Sequence, residues 1–422
     1  MKVREILRKP VQLFTGKYGI LLLTLLNAAL ACLVITITNR WVCLDPARGS
    51  GDFMTFYLLD YRVGFISRAF IGSILYLFTK HPTVRMVSFV LYTVIILSVL
   101  LFCFFQAQVA KKTILRREHA TLLLSYLFFL NSFFWCDAFE FFGLPDIFIT
   151  LLLQLYLLCT ERNRTLGFFL APLVCTVGLL IHTSFLFVGF VVVAAILWFD
   201  LLQRGKPGGV HITLFVTACI ASVVLFVLFV FFTQEMVRVN MYEMLDLVHQ
   251  KYDGRINEEY YTAYLFQTSE AHPELTEKHF LQFLLEYNRA DHGSSKVRKY
   301  LLDILPLTAA FFAGCVFHAR QSGTRKIAYL GCLAPFAALF PALSVSTDKE
   351  RFFSLCLIAQ YMLLHYIIMR TDDRFLPGTV TLPQTIHAPS NPLKSRSERA
   401  NLVLSVCTIA GAVFTLIGYE TL

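Results

Sequence analysis

The sequence predicts an all-α protein, a polytopic transmembrane helical bundle of about 11 spans. Of its 422 residues, 57% are hydrophobic and only 15% are charged, whereas a soluble globular domain carries about a quarter charged residues. Its Lys and Arg residues, which give a net charge of +9, lie in short clusters between apolar runs of roughly 17 to 25 residues, the length of a helix that crosses a bilayer. Membrane orientation therefore explains the positive charge, and we expect a lipid bilayer and no nucleic acid as partner.

The apolar runs define the spans, all of them helical because irregular backbone cannot face lipid. They are 18–38, 86–109, 119–134, 146–160, 166–182, 183–199, 210–233, 301–319, 327–345, 352–369 and 401–419. The stretch 166–199 is too long for one span at about 1.5 Å per residue, so we divide it into a hairpin around His182-Thr183-Ser184. The polar stretch 234–300 separates an N-terminal membrane module, 1–233, from a C-terminal one, 301–422.

The segment 64–79 is apolar, but we predict that it lies in the plane of the membrane. On a helical wheel, Arg68, Gly72, Tyr76 and Thr79 form one stripe, and large apolar side chains occupy the other side. Such a pattern is typical of an amphipathic helix at a membrane interface. Counted as a span, the segment would invert the orientation of everything after it.

The charges predict the side of the membrane on which each loop lies. With eleven spans and a cytoplasmic N-terminus, every inner loop is basic, as the positive-inside rule requires, and the C-terminus lies outside. No small-residue cleavage site follows the first apolar run, so we expect a retained first span. On this assignment 21 of the 28 Asp and Glu residues lie outside. Because acids contribute little to orientation, their accumulation indicates a function on the outer face.

The 11 cysteines predict neither a redox motif nor a zinc site. Nine lie within apolar runs, where Cys behaves as a small hydrophobe, and no Cys or His cluster has metal-ligand spacing. Cys43 and Cys136 fall in two different outer turns. A disulfide between them stays open, because the sequence does not fix the distance between their Cα atoms.

Four polar segments are predicted to meet on the outer face. They are 40–68, 135–146, 234–300 and 346–351. Together they supply carboxylates, guanidinium groups and aromatic rings at the depth of the lipid headgroups. Arg is suited to hold a lipid phosphate or diphosphate, because it contacts the anion with two donors. A sugar hydroxyl that acts as acceptor needs a carboxylate to remove its proton. The combination favours sugar transfer from a lipid carrier.

The string Gly51-Asp52-Phe53-Met54-Thr55-Phe56-Tyr57 follows the first span and precedes the in-plane helix. It resembles the Asp-Phe-x-x-x-Tyr form of the first-loop acidic motif in the C-type (GT-C) glycosyltransferase superfamily, in the branch that uses polyprenyl-phosphate-mannose. The resemblance covers about residues 1–110 and the general topology, and it implies that Asp52 deprotonates the acceptor. The chain departs from the pattern directly afterwards, at Asp60 to Arg68. Its segment from Arg62 to Arg68 also resembles one in membrane proteins of bacterial surface-polysaccharide loci.

Four further charged residues are candidates next to Asp52, for which helix capping is the alternative role. Asp60 is a second candidate for catalysis, or it pairs with Arg62 or Arg68. Both arginines lie beside or within an apolar segment, where an ionised group is costly unless it is paired or functional. We predict that they bind the lipid phosphate, with a snorkelling anchor as the alternative. Arg351, above the tenth span, is the third candidate for phosphate binding.

The remaining candidates lie in the other outer segments. Asp137 and Glu140 are predicted to bind the acceptor or a divalent cation, Mg²⁺ or Mn²⁺, and no other cofactor is predicted. Asp146 follows Pro145 at the start of a span, so stabilisation of the helix N-terminus explains it. His182 is a candidate for substrate binding, with hydrogen-bonded packing as the alternative. The loop 234–300 carries apolar residues at helical spacing in 240–250 and 274–288, which predicts a small helical cap.

The leading hypothesis is a membrane glycosyltransferase. It would move a sugar from a polyprenyl-phosphate donor to an envelope glycan or glycolipid on the outer face. A polysaccharide polymerase of the O-antigen or capsule type is the nearest alternative, and the long loop 234–300 fits it. A flippase or solute transporter is the alternative from another class. Against transport, the spans carry almost no charge, whereas a translocation path usually contains polar groups.

Overall fold

A computed structural model describes residues 14–38, 50–135, 144–203, 208–254, 256–261, 294–321, 329, 331–345 and 349–371. Within these ranges the chain is helical, apart from one isolated β-bridge between Gly64 and Val237. The helices are α1 (Gly19–Ile37), α2 (Ser50–Leu58), α3 (Ala69–Phe78), α4 (Val84–Arg116), α5 (His119–Phe129), α6 (Asp146–Arg162), α7 (Arg164–Ile181), α8 (Gly189–Gln203), α9 (Gly209–Phe231), α10 (Thr233–Met236), α11 (Met241–Lys251), α12 (Glu258–Tyr261), α13 (Ser294–Gln321), α14 (Ala334–Val345) and α15 (Lys349–Arg370). The predicted all-α class is confirmed.

Within the described residues, six stretches of helix are long and apolar enough to cross a bilayer. They are Gly19–Ile37, Val84–Arg116, Arg164–Ile181, Thr183–Leu202, Gly209–Phe231 and Glu350–Arg370. They make the chain a multi-pass membrane protein. The predicted span at 119–134 is shorter, because α5 ends at Phe129 and a 3-10 helix, Ser132–Trp135, follows. The run 401–419 lies outside the described residues, so the total of eleven spans stays a prediction.

The predicted hairpin within 166–199 is confirmed. Helix α7 ends at Ile181 because His182 is extended, with φ −162° and ψ 141°. The His182 side chain accepts a hydrogen bond from the Ser184 N–H and so caps the 3-10 helix Thr183–Leu186. Helix α8 then begins at Gly189. The turn places the polar residues 182–184 between two apolar helices.

The apolar segment 64–79 forms only the ten-residue helix α3. At about 15 Å it is half as long as the bilayer core is thick, so it cannot span the membrane. Its buried side includes Ile71 and Gly72, which the helical wheel placed on different sides. Gly72 is buried because α3 packs so closely on the preceding turn that a Cβ there would overlap the Leu59 carbonyl oxygen.

Helix α15 lies at the centre of the bundle, and all its residues from Arg351 to Ile368 are buried. It runs parallel to α6, because Arg351 pairs with Asp146 at one end and His365 pairs with Glu161 at the other. The two pairs are about 21–23 Å apart along both helices at 1.5 Å per residue. We call the two ends of the bundle the Arg351 end and the Arg370 end.

At the Arg370 end, basic side chains bind the last carbonyl groups of neighbouring helices. Lys112 donates to the Met369 carbonyl oxygen (2.8 Å), Arg116 to that of Thr371 (2.8 Å), and Arg370 to that of Thr160. Cations stabilise helix C-termini in this way. Asp200 is also buried there. Together with His365 it gives the bundle more buried ionisable groups than the sequence predicted.

A satisfied polar network joins α4, α5 and α15 within the apolar core. Gln106 donates to the Ser125 hydroxyl (3.1 Å) and accepts from the Tyr361 hydroxyl (3.0 Å), and all three residues are buried. Because an unpaired polar group in this environment is costly, the network favours one alignment of the three helices.

The loop after α9 begins with the predicted helical cap. Asn240 and Glu243 form a capping box at the start of α11, with hydrogen bonds of 2.9 and 3.0 Å. Met244 and Val248 are buried on its apolar side. The helix predicted at 240–250 is confirmed, whereas 274–288 and the cysteines 43 and 136 lie outside the described residues.

Candidate functional site

Residues 50–68, which we call the elbow, turn the chain from α2 into α3 at the Arg351 end. The Asp60 carboxylate closes the turn by accepting a hydrogen bond from the Arg62 backbone N–H (2.8 Å), a local pairing typical of Asp. Arg62 also donates through Nε and one terminal nitrogen to Asp60, at 2.9 to 3.1 Å. A short polar turn thus carries a forked ion pair.

Lys251 completes this first cluster. It belongs to the helical cap that follows α9, residues 233–261. Its ammonium group lies 2.5 Å from the Asp60 carboxylate and donates to the Leu58 carbonyl oxygen. The Arg62 guanidinium stacks 4.0 Å from the ring centroid of Tyr76 and donates to its hydroxyl (3.2 Å). Two cations and one carboxylate leave the cluster with excess positive charge.

These contacts determine the ionisation of the cluster. Burial acts to raise the pKa of Asp60, but the hydrogen bonds from Arg62 and Lys251 outweigh it, and the pKa lies below its ordinary value. Burial lowers the pKa of Lys251, against the effect of Asp60. The hydrogen bond to Asp60 raises the pKa of Arg62. A carboxylate with a lowered pKa is a weak base, so the geometry favours an anchoring role for Asp60.

A second cluster, the arginine pocket, consists of Arg68, Asp146, His182, Ser184 and Arg351. Ser184 donates its hydroxyl proton to Asp146 (2.6 Å), and the Arg351 guanidinium lies 3.4 Å from the other carboxylate oxygen. The His182 Nδ1 atom accepts from the Ser184 N–H (3.0 Å). Asp146, His182, Ser184 and Arg351 are buried. Helices α6, α7 and α15 therefore bring their polar ends to one point.

Arg68 joins the pocket from the elbow through a strained backbone. Its φ of 74° lies in the left-handed region, which is unfavourable for any residue with a side chain. The Arg68 N–H donates to the Leu180 carbonyl oxygen (3.1 Å), and the Ser67 hydroxyl donates to that of Leu179 (3.1 Å). These bonds hold the elbow on the end of α7. Arg68 acts electrostatically on both Asp146 and His182.

Among the residues that the structure describes, the pocket holds two guanidinium groups near one carboxylate. Two guanidinium groups, of Arg68 and Arg351, act on one carboxylate, Asp146. In a site shielded from water, guanidinium groups attract an anion more strongly than they would in solution. Strained residues persist where the surroundings hold them and are concentrated at ligand sites. Arg68 fits that description.

An apolar groove of about 610 Å³ borders α6 and the end of α7. Its walls come from α3, the start of α4, α6 and the end of α7, and all its lining residues are apolar. Phe148 and Ile181 belong to the lining, and they are close in sequence to Asp146 and His182. The groove and the arginine pocket thus both border the first turn of α6 and the end of α7.

Tyr57 connects helix α2 to the same place. It is buried, its ring lies 6.2 Å from that of Phe148, and it interacts electrostatically with Asp146. Asp52 lies in the first turn of the same nine-residue helix, and its side chain is outside the described residues. The helix that carries the predicted base therefore borders the arginine pocket.

The structure brings most of the predicted site residues to the Arg351 end. Asp60 and Arg62 form the first cluster, whereas Arg68, His182 and Arg351 share the second. Asp137 and Glu140 lie outside the described residues, so the divalent cation predicted with them stays a prediction. Among the described residues, no three His, Cys, Asp or Glu side chains are grouped so as to hold a metal ion.

Sequence reasoning missed four contributors to the two clusters. Lys251 pairs with a residue far away in the sequence, and Tyr76 pairs with a residue outside its own helix. No local sequence pattern shows such pairings. For Asp146, stabilisation of a helix start was preferred over binding of a cation or the acceptor, and Ser184 was predicted only to form a turn. The sequence could have indicated Asp146 and Ser184, because both border a predicted outer segment and lie next to predicted site residues.

Comparison with known proteins gives no relative from which a role could be transferred. No family model, no curated protein and no solved structure matches the chain.

Proposed function

We propose that the chain is a GT-C-like membrane glycosyltransferase. It transfers a sugar from a polyprenyl-phosphate donor to an envelope glycan or glycolipid. The observation that carries the proposal is that an arginine pocket and a wholly apolar groove border the same ends of α6 and α7. A phosphate linked to a long hydrocarbon matches both parts.

The arginine pocket is assigned to the donor. Arg68 and Arg351 bind the phosphate with charge-assisted hydrogen bonds, and Asp146 serves as their counter-ion while the site is empty of substrate. His182 donates or accepts a hydrogen bond at the wall of the pocket. The hydrocarbon chain begins in the groove beside Phe148. Arg62 already pairs with Asp60 through Nε and one terminal nitrogen. We assign the outward edge of its guanidinium group to binding the sugar acceptor.

The transfer step needs one base and one stabilised leaving group. The acceptor oxygen attacks the anomeric carbon, Asp52 takes the proton of the acceptor hydroxyl, and the bond between the anomeric carbon and the phosphate oxygen breaks. The polyprenyl phosphate departs with the electron pair, and the two guanidinium groups stabilise its charge. Asp52 is the proposed base because Asp60 already accepts from Arg62 and Lys251.

The orientation is proposed with the function. The Arg351 end faces outward, the N-terminus is cytoplasmic, and eleven spans in a bacterial plasma membrane place the C-terminus outside. The parallel course of α6 and α15 supports the order of spans between them. The basic residues Lys112 and Arg116 at the opposite end fit a cytoplasmic face.

Substitution of Asp52 tests the mechanism. Asp52→Asn should abolish transfer from a labelled polyprenyl-phosphate sugar in proteoliposomes, because the amide cannot take the proton. Asp45→Asn, in the same loop, is the matched control and should retain activity. Wild-type transfer rates in Asp52→Asn would refute the assigned base. A ladder of products from a repeat-unit donor would favour the polymerase alternative.

Transport is the second candidate because of the buried charge at the Arg370 end. Asp200 and His365 are buried there, and Glu161 pairs with His365. Such groups within a membrane are often part of a transport path. Counterflow of labelled substrate through liposomes, without any covalent change, would support transport and refute the transferase.

A further inference from the structure

The cap, residues 233–261, is attached to the elbow along its whole described length. At its start, Val237 forms an antiparallel bridge with Gly64, and the Arg238 N–H donates to the Val63 carbonyl oxygen (2.8 Å). At its end, the Asn257 N–H donates to the Thr55 hydroxyl oxygen (3.1 Å). The Tyr261 hydroxyl donates to the Thr55 carbonyl oxygen (2.8 Å). The cap therefore holds both the turn and helix α2.

Lys251 lies between these two attachments. It is the last residue of α11, and its side chain is only 7% exposed. One ammonium group binds both the Leu58 carbonyl oxygen, at the end of α2, and the Asp60 carboxylate. A cation at a helix C-terminus stabilises the helix through its unpaired carbonyl groups. Lys251 thus fastens α2 and the turn after it with a single side chain.

Helix α2 depends on such contacts. It has nine residues, and an isolated helix shorter than about 12–15 residues is marginal in water. Its described side chains Met54, Tyr57 and Leu58 are buried, so packing and the Lys251 contact decide where it lies. Any displacement of α2 would also move Asp52 relative to the arginine pocket.

We propose that Lys251 is a positioning residue. Its pair with Asp60 fixes the cap on the elbow and holds α2 beside the arginine pocket, in the place that the transfer reaction requires. The contact itself follows from the geometry, whereas its consequence for turnover rests on the proposed function. Donor binding, which uses Arg68 and Arg351, should not depend on Lys251.

Hydrogen exchange, read by mass spectrometry on the full chain in liposomes, tests the contact. Lys251→Met removes the charge and keeps the length of the side chain. We expect the amides of 50–58 and 241–251 to exchange on the order of tenfold faster, because Met can replace neither the contact with the Leu58 carbonyl oxygen nor the pair with Asp60, whereas Asp60 keeps its pair with Arg62. The amides of 164–181 should be unchanged. Lys251→Arg should restore most of the protection.

A matched control comes from the same cap. His249 and Glu258 form a pair of 3.0 Å whose side chains are 46% and 54% exposed, and exposed pairs contribute little. His249→Ala should leave the exchange of 50–58 within about twofold of wild type. Equal exchange in Lys251→Met and His249→Ala would overturn the proposal. If Lys251→Met fails to fold, Tyr261→Phe replaces it, because it removes one hydrogen bond of the same attachment. Exchange in 50–58 should then rise by a few fold, and no rise would overturn the proposal.

Kinetics separate positioning from a general structural role. In Lys251→Met, kcat for transfer should fall while the Kd for the polyprenyl-phosphate donor stays at the wild-type value. Faster exchange with an unchanged kcat would overturn the positioning role. If the wild-type protein transfers no sugar, the proposed function fails, and the exchange measurement still decides whether Lys251 fixes the cap.

Discussion

Arg68 offers a test that separates its backbone from its guanidinium group. Its φ of 74° costs a residue with a side chain about 1–2 kcal/mol, whereas Gly adopts this conformation freely. Arg68→Gly removes that cost together with the charge. Arg68→Ala removes the charge and keeps the strain. The two variants therefore differ in stability but not in their capacity to bind an anion.

The magnitudes follow from the two effects of glycine. Relief of about 1–2 kcal/mol in the folded state is offset by about 0.4–1 kcal/mol, because Gly also makes the unfolded chain more flexible. Arg68→Gly should therefore be more stable than Arg68→Ala by up to about 1.6 kcal/mol. A lost hydrogen bond to a charged group costs about 1.5–3 kcal/mol. Both variants should consequently bind polyprenyl phosphate about 10- to 100-fold more weakly than wild type.

Two measurements on each variant decide the matter. Reversible unfolding in mixed micelles with SDS gives the free energy of unfolding, and native mass spectrometry gives the Kd for polyprenyl phosphate. Wild-type affinity in Arg68→Gly would refute a phosphate site that includes this guanidinium. Greater stability of Arg68→Ala than of Arg68→Gly would refute the inference of backbone strain.

Three other predictions concern the cap and the opposite end. In Gly64→Ala the added Cβ would overlap the backbone of the cap, so amide hydrogen exchange in 233–240 should rise. Gly209→Ala is the control. An added Cβ there meets no atom within 4 Å, so the exchange should not change. His365→Phe removes the partner of the Glu161 carboxylate, whose side chain is 10% exposed. It should lower the free energy of unfolding by about 1–3 kcal/mol, most of which Glu161→Leu should restore in the double variant; additive losses would contradict this. Because the pKa of Asp60 is lowered, the stability that its ionised carboxylate contributes is fully present above about pH 4. This stability is lost as the pH falls through the lowered pKa. Exchange in 50–58, corrected for its intrinsic pH dependence, should therefore be constant from about pH 5 to 8 and rise only in stronger acid.

The fold class followed from composition because hydrocarbon permits few structures. Continuous apolar runs require helices, and the break at His182 was predictable because one run was too long for one span. The length of α5 was not predictable. Its apolar run continues to residue 134, and only the structure shows that the helix stops at Phe129. Apolar sequence indicates burial in lipid or protein, not where a helix ends.

The candidate site was predictable in its residue types more than in its pairings. Arg68, His182 and Arg351 were chosen because charge near an apolar segment is costly without a role. Their convergence on Asp146 depends on how α6, α7 and α15 pack, which no local pattern encodes. The Asp60–Lys251 pair joins residues 191 positions apart. Such a contact becomes visible only when the cap is folded onto the elbow.

Photo-crosslinking of the donor lipid tests the central claim most directly. A polyprenyl phosphate with a diazirine in its first isoprene units would be photolysed with the wild-type protein in liposomes, and the labelled residues mapped by mass spectrometry. The proposed site predicts labelling of the groove at Phe70, Ile74 and Phe148, competed by unlabelled polyprenyl phosphate and reduced in Arg68→Gly. Equal labelling of the exposed apolar residues Ile220 and Val223 on α9, unaffected by the competitor, would contradict it.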